Sequence, residues 1–316
     1  RAVVLGLIAG GMGMSSAFAQ DAGSATDPEA RDSGELEEIV VTAQKRDTNL
    51  QDTPISIAVL TADGLANRQA ISLASLSDGS VPSLRVAPFA TRSSALNIGI
   101  RGIGASGDAN QPARDAGIGV YVDGVFLGRA QGLGTALYDI ERIEVLKGPQ
   151  GTLFGRNTEG GAVSIVTRAP SGEFRLDTRF GLANFGGYNG VMHLDLPRIG
   201  NLSLKIDGVL NKRDGTTTNP MDGEADFNAW DKRGIRATAL WQPRDGIDLT
   251  YAYDNAYDAT TPYHAQLLVP GPLASVLQRA GASLERRDSS ILGGEQQESV
   301  GKSSGHTLVL DWTLSD

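Results

Sequence analysis

Beyond residue 170 the chain alternates apolar and polar residues in six runs, the two-residue period of strands with one apolar face. In "FRLDTRFGLANF" the apolar set is Phe174, Leu176, Phe180 and Leu182, and "GVMHLDLP" sets Met192, Leu194 and Leu196 against His193 and Asp195. "NLSLKIDGVL" sets Leu202, Leu204 and Ile206 against Ser203, Lys205 and Asp207. "GIRATALWQ", "IDLTYAYDNAY" and "HTLVLDWTLSD" repeat the pattern through Ile235 to Trp241, Ile247 to Tyr253 and Leu308 to Leu314. The connections alternate as well: tight at "PRIGN" and "QPRDG", long and polar at 211–232 and 258–304. That asymmetry predicts an antiparallel transmembrane β-barrel with short periplasmic turns and long outer loops. The short "NFGGYN" turn, on the outer side, is the exception, and an exported soluble sandwich is the alternative.

Residues 52–170 have another texture, that of a compact α+β unit. "TPISIAVL" begins a strand, and the segment after it mixes two short helical stretches with Gly and Pro breaks. "ALNIGIRGIG" is a second strand, and "IGVYVDGVFL" is two short strands joined by Asp123-Gly124, a dipeptide suited to a two-residue hairpin turn. "DIERIEVLKGPQGTLFG" alternates until Gly148-Pro149, and "GGAVSIVTRAP" closes the unit with a strand.

The start of the chain says where it goes. A basic residue, an apolar run from Ala2 to Ala19 and the Ala17-Phe18-Ala19 site describe a cleaved secretory signal peptide over residues 1–19. Between Asp21 and Glu38 stand seven acids and one base, Arg31. Residues 20–51 therefore read as a disordered acidic tether. At its end "ELEEIVVTAQKR" contains five residues of good strand, Ile39 to Ala43, with nothing nearby in sequence to pair with them.

Composition limits the chemistry. No cysteine is present, so disulfides and thiolate catalysis are excluded, and 40 glycines in 316 residues favour turns and closely packed strands. A net charge of −9 without a basic stripe gives no footprint for nucleic acid. Gly102, Gly104 and Gly107 spell a dinucleotide fingerprint, but Pro112 follows where a helix should start. Gly301 to Gly305 matches a nucleophile elbow, yet its polar flanks predict a loop. The three histidines are widely separated, and their spacing suggests neither a metal cluster nor a cofactor site; His193 is expected to face a wet barrel lumen.

Four stretches, "EEIVVTAQKR", "NIGIRGIG", "GVYVDGVFLGR" and "DIERIEVLKGPQGTLFGRNTEGGAVSIVTRAP", resemble the energy-coupling box and plug domain of TonB-dependent outer-membrane receptors. The resemblance implies an α+β plug domain, residues 52–170, followed by the start of an antiparallel transmembrane β-barrel, residues 171–316. About 22 strands complete such a barrel, so six imply a piece of a longer chain. It implies a TonB box at 38–43, in which Glu38, Ile39, Val40, Val41, Thr42 and Ala43 add a strand to the periplasmic domain of TonB and its inner-membrane energising complex. Ile39, Val41 and Ala43 would share one face.

Further roles follow from the same resemblance. Arg101 and Lys147, with the Arg142 and Glu144 pair, would lock the plug to the barrel wall, with acidic partners for Arg101 and Lys147 expected beyond Asp316. Lys147 stands where the fork of an arginine is expected. Gly102, Gly148, Pro149, Gly151 and Gly155 would be backbone devices giving close approach and a fixed φ. Plug tips would meet the ligand at Arg92, Ser93, Ser94, Asp108, Asn110 and Arg114. The implied function is active transport of a scarce large solute (ferric siderophore, cobalamin or oligosaccharide) across the outer membrane of a Gram-negative bacterium, without covalent chemistry. A passive pore or adhesin with an inert tether is the rival.

Overall fold

The computed structural model describes residues 39–314 except 44, 47, 69, 71, 90–91, 105–114, 129–137, 220, 222, 265–271, 273 and 280–296. The signal peptide, residues 20–38 of the expected tether, Gly107 and Pro112 lie outside the described residues; the rest of that tether, 39–51, is not disordered but folded into two short strands and a 3-10 turn, because Val41 and Ala43 find a core to bury in.

Two short strands come first, β1 (Val40–Val41) and β2 (Thr48–Asn49), paired antiparallel. The strand that lacks a partner in the sequence thus has one, and Val41 and Ala43 are fully buried while Val40 is exposed. The reversal is local: Lys45 takes φ 59 and its N–H donates to the Thr42 carbonyl at 2.9 Å. A five-stranded mixed sheet follows, in the order β3-β8-β9-β6-β7. It comprises β3 (Ile57–Thr61), β6 (Ile118–Val122), β7 (Val125–Phe126), β8 (Ile140–Lys147) and β9 (Gly161–Thr167).

The turn between β6 and β7 falls at Asp123 (φ 47) and Gly124 (φ 82), two successive positive φ values as a tight hairpin requires. A separate hairpin pairs β4 (Leu84–Phe89) with β5 (Arg92–Ile100). β4 is not legible in the sequence, because Pro88 inside a run argues against a strand. Helix α1 (Ala62–Asn67) and a 3-10 segment at Leu73–Asp78 supply Leu65, Leu73 and Leu76 to a core shared with Ile100, Val120, Ile143 and Ile165.

The second part is a six-stranded antiparallel sheet in chain order. Its strands are β10 (Arg175–Ala183), β11 (Gly187–Ile199), β12 (Leu202–Arg213), β13 (Trp230–Arg244), β14 (Ile247–Thr260) and β15 (Ser299–Trp312). At 9 to 15 residues each, they meet the roughly 9–11 residues a tilted strand needs to cross a bilayer. They run further than the hydrophobic alternation, so the long connections are 214–229 and 261–298 rather than 211–232 and 258–304. Ladder hydrogen bonds continue beyond the apolar band, where both faces turn polar. Gly301 to Gly305 accordingly lies within β15 and not in a loop, which leaves no strand-to-helix turn for a nucleophile. No described helix is long and apolar enough to cross a membrane.

The burial of this sheet is inverted relative to a soluble one. Leu176, Phe180, Leu182, Ile199, Leu308 and Trp312 are more than half exposed, while Ser203, Lys205, Asp207, Asp195 and Arg236 on the other face are buried. Water would penalise the first face; hydrocarbon does not. Beyond Arg244, which flanks a tight turn, the first polar outward residue counted from the tight-turn ends is Lys212 on β12, Arg233 on β13, Asn255 on β14 and His306 on β15.

Candidate functional site: the docked box and its anchorage

Glu144 sits on β8 with its side chain wholly buried, where an unpaired carboxylate would be costly. Three donors meet its Oε1: the Thr42 N–H at 2.9 Å, the Thr42 hydroxyl at 3.1 Å and Arg142 Nε at 2.8 Å. Arg142 and Glu144 are therefore not solvated charges, and they do not reach the six-stranded sheet. They tie the residue after β1 to the mixed sheet. A second clip lies three residues on. Lys45 Nζ stands 4.6 Å from the ring centre of Phe154 and 5.5 Å from that of Tyr121, a cation–π arrangement. Phe154 ends the short helix α2 (Gly151–Phe154), and its carbonyl accepts from the Tyr121 hydroxyl at 2.6 Å.

Arg101 and Lys147 also act within the first part. Arg101, held at φ 52, donates from Nη2 to the Ser56 hydroxyl at 2.9 Å, while the Lys147 N–H donates to the Ser56 carbonyl at 2.8 Å. Among the described residues neither forms an ion pair. Gly102, Gly148 and Gly155 take positive φ values of 83, 109 and 81, but a Cβ at Gly102 or Gly155 would meet open space. Conformation rather than close approach is what they supply. Gly151 shows neither need; tight approaches occur instead at Gly104 and Gly119, at Gly160, against Ile103 and Ile118, and at Gly161, against the Leu146 backbone. Arg92 and Ser93 lie in β5. Ser94 is buried against β15, its hydroxyl 3.1 Å from that of Ser299, so it is no exposed tip. Asp108, Asn110 and Arg114 lie outside the described residues.

The two parts are joined by residues to which the resemblance assigned no role. Asp139, just before β8, takes Lys205 Nζ of β12 at 2.5 Å, with Arg168 and Arg175 each at 3.6 Å. Lys205 also donates to the Arg168 carbonyl at 2.9 Å and lies 3.7 Å from Asp207, which holds His193 Nδ1 at 2.8 Å. His193 does face inward, but into this buried network and not into water. Burial pushes the Asp139 carboxyl up, and the Lys205 ammonium with its His193 and Arg168 neighbours more than reverses that, leaving it below its ordinary value.

Asp139, His193 and Asp207 offer ligand atoms within 4.8 Å of one another, spacing that a metal ion tolerates. Lys205 already stands among them and supplies the positive charge, so the cluster is satisfied as an ion-pair network. Its wall half was visible in the sequence as the polar alternation of His193, Lys205 and Asp207. A second bolt joins Asp123 of the hairpin turn to Arg236 of β13 at 2.5 Å, with the same carboxylate accepting from the Thr167 N–H and hydroxyl. Third, the Tyr138 hydroxyl donates to the Asn255 carbonyl at 3.1 Å, passing over Gly234, where any Cβ would collide with it. Burial, with Asp254 nearby, pushes the Tyr138 hydroxyl up to about 12.

Residues 49–162 match the model of the TonB-dependent Receptor Plug Domain. Residues 49–162 are thus a plug domain of the TonB-dependent receptor kind. The pesticin receptor of Yersinia enterocolitica is 32% identical over 131 residues, 41% of this chain and 19% of that protein. The ferrichrome outer membrane transporter and phage receptor of Escherichia coli K12 is 24% identical over 227 residues, 72% of this chain and 28% of that protein. The chain thus spans under a third of these relatives. The crystal structure of the ferric yersiniabactin uptake receptor of Yersinia pestis superposes with a TM-score of 0.67 at 22% identity, over 83% of this chain and 39% of that one, a likeness of fold. The α+β plug followed by the start of an antiparallel barrel is therefore the architecture of this chain, and its place is the outer membrane of a Gram-negative bacterium.

Proposed function

We propose that this chain belongs to an active transporter that captures a scarce large solute and moves it inward when TonB pulls on Glu38 to Ala43. The observation that carries the reading is the division of labour around β8. Its Glu144 holds Thr42 of the box, and Asp139, just before its first residue, holds the plug to the wall. Glu144 is thereby a releasable catch for the box, and a pull on the released box is delivered to a plug still anchored to the wall through Asp139. Residues 1–19 serve as the export signal and 20–51 as the tether in this reading, its part from 39 on docked on the plug at rest. Among the solutes considered, a ferric siderophore has the support of relatives named for ferrichrome and ferric yersiniabactin.

Strand addition needs a free edge and free side chains, and the docked box offers little of either, so the box must leave Glu144 before TonB can pair with it. The test is a titration of a peptide spanning Glu35 to Arg46 into isotopically labelled TonB periplasmic domain, with V40P as control. Saturable shifts along one strand edge, lost with proline, are expected. Equal binding by both peptides, or none, leaves a passive pore as the better reading.

A further inference from the structure

A cavity of about 940 Å³ separates α1 from the inward face of β10 to β13. Its inner end is the Asp139 network, where the charges are paired. Its outer end is different. There Arg213 stands over the Trp230 ring, its guanidinium carbon 3.6 Å from the ring centre, and Nη2 donates to the Asn228 carbonyl at 2.9 Å. Trp230 is itself fixed by its indole N–H, which donates to Asn211 at 2.9 Å. Among the described residues, Arg213 Nε is buried without a hydrogen-bond partner and no carboxylate pairs with Arg213.

The floor beside this stack is low, because Gly181 and Gly187 project no side chain, and the Asn189 amide lies across Gly181. Further in on the same face stands Arg179, its side chain 64% exposed, with Asp177 of its own strand 3.5 Å away.

We propose that this end of the cavity is an oxyanion-binding subsite, in which Arg213 receives a carboxylate of a solute entering from the outer side. A guanidinium held by stacking and by a carbonyl has little orientational freedom left to lose, and its fork matches a carboxylate in two hydrogen bonds. The buried Nε supplies one donor that protein leaves unused. A neutral acceptor would make only the weaker, uncharged hydrogen bond to that donor, and a cationic solute would be repelled by both arginines. The subsite rests on the reading of the chain as a solute receptor, and it lies on the wall rather than on the plug tips.

The probe is tricarballylate, a tricarboxylate, added to the full chain in detergent micelles with ¹⁵N-labelled tryptophan. Of the three indole signals, Trp230 (assigned with W230F) is expected to shift saturably, while Trp241 and Trp312 on the lipid face stay. R213Q should weaken the apparent affinity at least about tenfold, and R213K, which keeps charge without the fork, should fall between. Should R213Q disturb all three indoles before any probe is added, R179Q provides the comparison and should weaken binding several-fold. Inorganic phosphate acting through Arg213 also supports the subsite. A shift that grows linearly with salt, moves all three signals, appears equally with sucrose or survives R213Q overturns it. The peptide titration against TonB is independent, so failure here leaves the receptor reading intact.

Discussion

Lys205 of the wall strand β12 and Asp139 of the plug meet at 2.5 Å, the lysine only 1% exposed. Removing one partner of a buried pair leaves the other charge uncompensated, which costs about 3–5 kcal/mol. K205M should therefore destabilise the folded chain by about that amount in a urea melt. K205M combined with D139L should recover most of it. A loss below about 1 kcal/mol for K205M would show that the pair does not hold the plug.

The same carboxyl sets an acid limit. Because Asp139 titrates below 3.8 in the folded chain, its contribution is complete above that pH and is lost as pH falls through the folded value. Tyr138 works in the opposite sense: raised from 10.0 to about 12, its contribution is complete below pH 10 and lost as pH rises to about 12. Stability measured against pH should fall at both ends. D139N should flatten only the acid limb, and Y138F only the alkaline one.

Gly234 makes room for the Tyr138 hydroxyl on its way to the Asn255 carbonyl. G234A should displace the ring and cost about 1–3 kcal/mol, the range for a lost buried hydrogen bond. In a double-mutant cycle most of that cost should vanish in a Y138A background. Additive costs would place the strain elsewhere.

The box should open when its clips are cut. A hydrogen bond to a charged group contributes about 1.5–3 kcal/mol, so E144Q should speed exchange of the Thr42 amide roughly tenfold to a hundredfold. K45A removes only an exposed cation–π contact and should speed it a few-fold, with K45R restoring protection. Unchanged exchange in E144Q would mean that the box is held by Val41 and Ala43 burial alone.

Most of the architecture was legible because each level of the sequence agreed with the next. The alternation of Leu204 with Lys205, or of Met192 with His193, fixes which face each residue takes, whichever face meets lipid. Asp123-Gly124 could form little but a tight hairpin. The site was less legible, for a physical reason. Glu144 lies 102 positions from Thr42, and nothing local distinguishes a buried acceptor from a solvated charge in "ERIEV". Asp139 reads as an ordinary acid at a strand start until β12 brings Lys205 to it. Arg101 and Lys147 carried a motif, and their partner Ser56 carried none.

The outward polar residues Lys212, Arg233, Asn255 and His306 amount to a waterline. Arg233 lies opposite Leu210, Asn255 opposite Ile235 and His306 opposite Tyr253, so the line drops two residues at each successive strand. Two residues span about 6.7 Å and neighbouring strands lie about 4.8 Å apart, a slope of about 54° across the sheet. A bilayer surface is level, so it is the strands that lean, by that angle, about 10° beyond the roughly 35–45° usual in such barrels. Four side chains thus fix the list at which the sheet floats.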